Sequence, residues 1–167
     1  DAMDADSETL TKRFKIERTE GDGNCLFHAL HALTRNPTIT KDSLAETPQY
    51  NSMGLRRRLY EYMQVHSDTF ARILDPVTIP KTDGETDKTY VKRYVDMMAP
   101  KMRNDGTFGV EHAGTIEIQA FAMMFNVIVY VLSVDDPENV ERPNRKFAHI
   151  ISRHFPCSFG GTTLTAD

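Results

Sequence analysis

Residues 21–33 read Gly21-Asp22-Gly23-Asn24-Cys25-Leu26-Phe27-His28-Ala29-Leu30-His31-Ala32-Leu33 (GDGNCLFHALHAL). A run of turn formers stands directly ahead of a cysteine, and an apolar segment with helical spacing follows it. A thiol that merely fills a core needs no such approach. A nucleophile does, because it has to be presented at an element end and surrounded by backbone donors.

A free thiol, with a pKa of about 8.5, is mostly protonated at neutral pH. The first turn of a helix favours an anion through its unpaired N–H groups and its dipole, and the spacing places Cys25 there. Gly21 and Gly23 let the preceding backbone fold tightly and approach a substrate with no Cβ in the way. The same turn would aim successive N–H groups beside the sulfur, as an acyl-transfer oxyanion requires. Asp22 could order this loop by accepting backbone N–H bonds or could bond the catalytic imidazole, and the sequence leaves both open. Two other readings compete. Cys25 could be a small core residue, or Cys25, His28 and His31, at three-residue intervals, could share a metal. With no C-x-x-C or H-E-x-x-H partner in the chain, no metal is expected.

Six histidines are candidates for the base. His28 and His31 lie on the cysteine's own helix and point along it. His66 falls at a helix end beside Ser67-Asp68, His112 in a loop, and His149 inside a strand, where packing is the simpler role. His154 is expected just past a strand end, on a rigid element yet free to face a cleft, with Phe155 beside it to wall off water. A Cys–His pair from distant parts of the chain is the usual arrangement of a thiol hydrolase.

The remaining sequence frames this site. Its 167 residues suit one domain with a real core. Residues 1–12 read as a flexible N-terminal segment or expression remnant, and 13–167 as a single catalytic domain. The net charge of −4 argues against nucleic acid as a partner. The basic run Arg56-Arg57-Arg58, between Leu55 and Leu59, reads as a solvated helix face. Two widely spaced cysteines, at 25 and 157, point to free thiols in a reducing, cytoplasmic or nuclear compartment. The longest apolar run, near 121–132, is too short to span a bilayer, so no membrane association is expected.

Alternation at Phe14, Ile16 and Arg18 predicts a strand, and helical spacing predicts helices over 25–33, 53–65, 90–98 and 116–125. On the first helix the predicted inward side is Leu26, Ala29, Leu30 and Leu33. Residues 36–50 and 75–88 read as loops, Asn104-Asp105-Gly106 as a turn, and Asp135–Asn144 as a turn-rich excursion. Val127–Leu132 reads as a central strand and Phe147–Ile151 as its returning partner. The pattern predicts an α+β (mixed α/β) layered domain.

The stretch from Gly21 to Ala29 resembles the cysteine box of the OTU (ovarian tumour) family of deubiquitinating cysteine proteases. Asp105-Gly106-Thr107-Phe108-Gly109, then Thr115-Ile116-Glu117-Ile118-Gln119-Ala120 leading into Val127-Ile128-Val129-Tyr130, is similar to that family's middle block. Ile150-Ile151 and His154-Phe155 are similar to its third. The resemblance implies a papain-like fold with a small central sheet flanked by helices, and cleavage after the C-terminal glycine of ubiquitin. It implies Cys25 as nucleophile, His154 as general base and acid, Asp22 as the acidic position of the box, and the backbone of Gly23, Asn24 and Cys25 as oxyanion hole. Ubiquitin, polyubiquitin or a ubiquitin-like modifier is the implied partner of a monomeric enzyme, and no cofactor is implied.

Two departures matter. The family often places Asp or Asn two residues after the histidine, where this chain has Pro156, which offers no side-chain acceptor. Asp22, an upstream acid such as Glu17, or a backbone carbonyl would then orient the imidazole. The family's frequent middle-block tryptophan is replaced by Phe108, and Glu111–Gly114 reads as extra loop. A non-catalytic ubiquitin-binding module is the rival that Pro156 keeps open.

Overall fold

The computed structural model describes residues 19–35, 51–102, 104–106, 108–134 and 147–156. The predicted strand at 14–18, the loop at 36–50, the excursion at 135–144, Glu17 and Cys157 lie outside the described residues.

The cysteine helix α1 (Cys25–Leu33) begins at the cysteine itself. Its buried residues are Phe27 and Leu30, whereas Ala29 and Leu33 are exposed and Leu26 is half-buried. The inward stripe is therefore shifted from the predicted one, because the large Phe27 ring claims the core. Helix α2 (Ser52–Val65) is capped by Asn51, whose side chain accepts the Gly54 N–H at 2.9 Å. It buries Leu55, Leu59, Tyr60 and Met63 at three- and four-residue spacing. A short helix not foreseen from the sequence, α3 (Ser67–Ile73), follows His66, whose ring lies 4.3 Å from that of Tyr62. Helix α4 (Asp87–Met98) starts three residues before the predicted Tyr90, because Thr86 accepts the Thr89 N–H at 3.2 Å and caps it.

Strands β1 (Lys101–Met102) and β2 (Phe108–Gly109) form a small antiparallel pair across the predicted turn, with Gly106 at φ +80°. Helix α5 (Thr115–Phe125) buries Ala120, Phe121, Ala122 and Phe125 and ends at left-handed Asn126. Strand β3 (Val129–Val134) pairs antiparallel with β4 (Phe147–His154). The register sets Val129 against His154 and Val131 against Ser152. It then slips to Leu132 against Ile150, so that one extra residue bulges on β4. His154 is therefore the last paired residue of its strand rather than a residue beyond it. Helices packed around a shared core, with two small antiparallel pairs among the described residues, make this an α+β fold. Burying each large apolar side chain is worth roughly 1.5–3 kcal/mol, and among the described residues nineteen apolar ones, Phe27 and Leu30 of α1 included, form the cluster on which α1 sits. No described helix is long and apolar enough to cross a membrane.

Candidate active site

Buried polar side chains are the informative exceptions in a core. Among the described residues they are Asn24, Ser52, Arg56, Glu117, Gln119 and His154, and they fall into groups around the cysteine loop, the α5 N-terminus and the end of β4.

In the cysteine loop, Asp22 accepts the Asn24 N–H on its Oδ1 at 2.8 Å and the Cys25 N–H on its backbone oxygen at 3.1 Å. Its Oδ2 lies 3.1 Å from His28 Nε2. The His28 hydrogen bond, with help from the Asn24 N–H, holds the Asp22 carboxyl below its ordinary range. Of the two roles left open, Asp22 therefore orders the loop, and the imidazole it bonds is that of His28. Two of the three N–H groups expected to converge beside the sulfur, those of Asn24 and Cys25, are engaged by Asp22. The Cys25 thiol is free and half-buried.

Gly23 is required by a close approach: a Cβ here would stand 2.3 Å from the Val110 carbonyl oxygen and 2.7 Å from its Cγ2. The loop before α5 is thus pressed onto the cysteine loop. Arg56 ties the two together. One guanidinium nitrogen donates to Gly23 O and Asn24 Oδ1, both at 3.4 Å, and the other to Met98 O at 2.7 Å and Glu111 O at 2.9 Å. Asn24 Nδ2 donates to Ser52 Oγ at 3.1 Å. The reading of Arg56 as part of a solvated face is corrected: it is 1% exposed, with its guanidinium 5.0 Å from the Phe27 ring centroid and 5.5 Å from that of Tyr60. Arg57 and its neighbour Glu61 stay in solvent, as predicted for that face. A cleft of about 770 Å³ includes Arg56, Tyr60, Val95 and Pro100 in its wall but neither Cys25 nor His154.

Glu117, fully buried in α5, accepts the hydroxyls of Tyr60 (3.2 Å) and Tyr94 and the Gly114 N–H (2.7 Å). Burial first, and the carboxylate charge second, push both tyrosine hydroxyls far above their ordinary pKa. This network fixes the angle at which the Val110–Gly114 loop enters α5.

At the end of β4, His154 is 5% exposed, and burial pushes its imidazole below the ordinary value of 6.5. Its Nε2 lies 3.0 Å from Ser152 Oγ, two residues back on the same strand face. Gln119 Nε2 donates to Phe155 O at 2.8 Å and pins the chain just past the histidine. The segment 110–119 therefore touches the cysteine loop at one end and the histidine's neighbour at the other. Among the described residues no direct hydrogen bond joins the Cys25 thiol to the His154 imidazole.

The sequence reading gives Arg56, Gln119 and Ser152 no role in the site; for Ser152 a signal existed, since i and i+2 share a strand face. Glu20, Asp22 and His28 bring one ligand atom each within 4.8 Å of one another, a different trio from Cys25, His28 and His31; Glu20 and Asp22 are exposed and His28 half-buried.

A family model described as OTU-like cysteine protease matches residues 20–150, from the cysteine loop into β4. The chain belongs to the OTU-like cysteine protease family, and its α+β architecture is that of the papain-like fold of this family. No curated protein and no solved structure matches it. The family match ends four residues before His154, so the histidine rests on the strand geometry alone.

Proposed function

We propose that this cysteine protease is a deubiquitinase that hydrolyses the isopeptide or peptide bond after the C-terminal glycine of ubiquitin, with Cys25 as nucleophile and His154 as general base and acid. The observation that carries the proposal is the cysteine loop itself. Asp22, Asn24 and Arg56 hold Gly23–Cys25 at a helix start, and Gly23 is packed so closely on Val110 that nothing larger than hydrogen fits. A loop held this firmly presents the Cys25 thiol at the first turn of α1, where a nucleophile for acyl transfer belongs.

The Cys25 sulfur attacks the carbonyl carbon while His154 takes its proton. The oxyanion draws on backbone N–H groups at the start of α1, where the helix leaves donors unpaired. His154 then protonates the departing amine and afterwards activates the water that hydrolyses the thioester. Hydrogen bonds of this kind are commonly long in an unliganded enzyme and tighten when substrate binds. No step calls for a cofactor. A reactive free thiol suits a reducing compartment such as the cytoplasm, and the chain would act as a monomer on ubiquitin or polyubiquitin.

Ubiquitin bearing a C-terminal vinyl electrophile tests this reading. Covalent capture by the native protein, lost in Cys25→Ala and strongly slowed in His154→Ala, is expected. Reversible binding without capture would favour a non-catalytic ubiquitin-binding module, the reading that Pro156 supports. Capture of a ubiquitin-like modifier in preference to ubiquitin would move the substrate to that class.

A further inference from the structure

The position two residues beyond His154 holds Pro156, whose ring carries no acceptor, and the Asp22 carboxylate is taken up by His28 and the Asn24 N–H. The imidazole nevertheless has a partner. We propose that Ser152 is the positioning residue of the catalytic histidine: its Oγ accepts the Nε2–H of His154, which fixes the ring and leaves Nδ1 to exchange a proton with Cys25. The inference rests on the assignment of His154 made above.

Several observations carry it. Ser152 Oγ and His154 Nε2 are 3.0 Å apart, within hydrogen-bond range. Both residues project from one face of β4, and their ladder partners Val131 and Val129 hold them in register. The bulge falls immediately before Ser152, between the pairs Val131–Ser152 and Leu132–Ile150, where such an irregularity re-aims a side chain. Gln119 anchors Phe155 O, so the strand cannot swing away from the α5 side.

The chemistry has a definite direction. Once His154 has received the thiol proton, both ring nitrogens carry hydrogen and Ser152 Oγ can act toward the ring only as an acceptor. A hydroxyl provides this without a charge. It orients the imidazolium as a carboxylate would, but stabilises it less. Burial of His154 acts in the same sense, against the charged ring. Proton transfer from Cys25 to Nδ1 and onward to the leaving amine is balanced within the pair, and Ser152 keeps its own proton throughout.

The test compares Ser152→Ala and Ser152→Thr with the native protein on a fluorogenic ubiquitin C-terminal amide, together with nitrogen-15 spectra of the imidazole. Ser152→Ala should lower kcat about 10–100-fold with KM little changed, part of the 10²–10⁴ that general acid–base catalysis supplies. Ser152→Thr, which keeps the hydroxyl on a strand that tolerates β-branching, should restore most of it. The His154 nitrogen signals should show an Nε2–H tautomer in the native protein and a mixture in Ser152→Ala. Native kcat and an unchanged tautomer in Ser152→Ala would overturn the inference while leaving the deubiquitinase reading intact. If the native protein is neither captured nor active, that reading falls, and the spectra still decide whether Ser152 sets the ring.

Discussion

Gly23 and the Val110 carbonyl approach so closely that a methyl group on Gly23 would lie 2.3 Å from the oxygen. Backbone cannot yield as a flexible side-chain end can, so the cysteine loop or the loop before α5 has to move. Gly23→Ala is expected to cost about 1–3 kcal/mol of stability, typical of overpacking. Capture by the ubiquitin electrophile should fall much further than stability does. Urea denaturation alongside capture rate checks both, and native behaviour in each would remove Gly23 from the site.

Arg56 is the second handle on the same loop. Arg56→Met leaves four acceptors without their donor, two of them at 2.7 and 2.9 Å, and with each unpaired buried acceptor costing about 1–3 kcal/mol the fold should lose at least about 2 kcal/mol. Arg56→Lys should rescue little, since an ammonium lacks the planar fork that reaches four partners at once. Denaturation midpoints of the two variants make the comparison, and equal stability of Lys and Arg would argue against the fork.

Glu117→Leu removes the acceptor shared by Tyr60, Tyr94 and the Gly114 N–H. Each orphaned buried donor costs about 1–3 kcal/mol, so a loss of at least about 3 kcal/mol is expected. Glu117→Gln, which keeps one acceptor oxygen, should lose less. Thermal unfolding of the pair would rank them, and a reversed order would mean that the carboxylate is not the organising group.

Acid should weaken the fold in two windows. The Arg93 hydrogen bond, aided by the Thr82 N–H, holds Glu85 down to about 2, against 4.5 when free. Its contribution is complete above pH 4.5 and is lost as pH falls toward 2. His154 is buried with its pKa below 6.5, so the unfolded chain binds the extra proton more readily and stability declines as pH drops through that value. Unfolding free energy measured against pH should therefore rise from pH 2 to pH 7. Glu85→Gln should flatten the lower part of that curve, and an unaltered slope below pH 4.5 would show the Arg93 pair to be idle.

The sequence makes the local features legible. The turn-cysteine-helix run lands on α1 at both ends, and the β-branched run at 127–132 lands on β3 with a shift of two residues. What stays hidden depends on long-range partners. Arg56 looks like its neighbours Arg57 and Arg58 in any window of the chain, and what sets it apart includes the carbonyls of Gly23, Met98 and Glu111, which converge on it after folding. The α1 stripe misleads for a similar reason: small apolar residues fit the spacing, but a phenylalanine displaces them. Asp22 has two chemically sensible partners by sequence, and only the positions of His28 and Asn24 decide between them.

The Arg56 tie reaches backbone partners 33, 42 and 55 positions away in the chain. Contacts of such reach close late, after the helices have docked, because chain entropy opposes them until then. A nascent or partly assembled molecule therefore carries a thiol with no ordered cradle around it. Electrophile labelling followed through refolding should lag behind helix formation, so that chemical competence itself reports the arrival of the last segment.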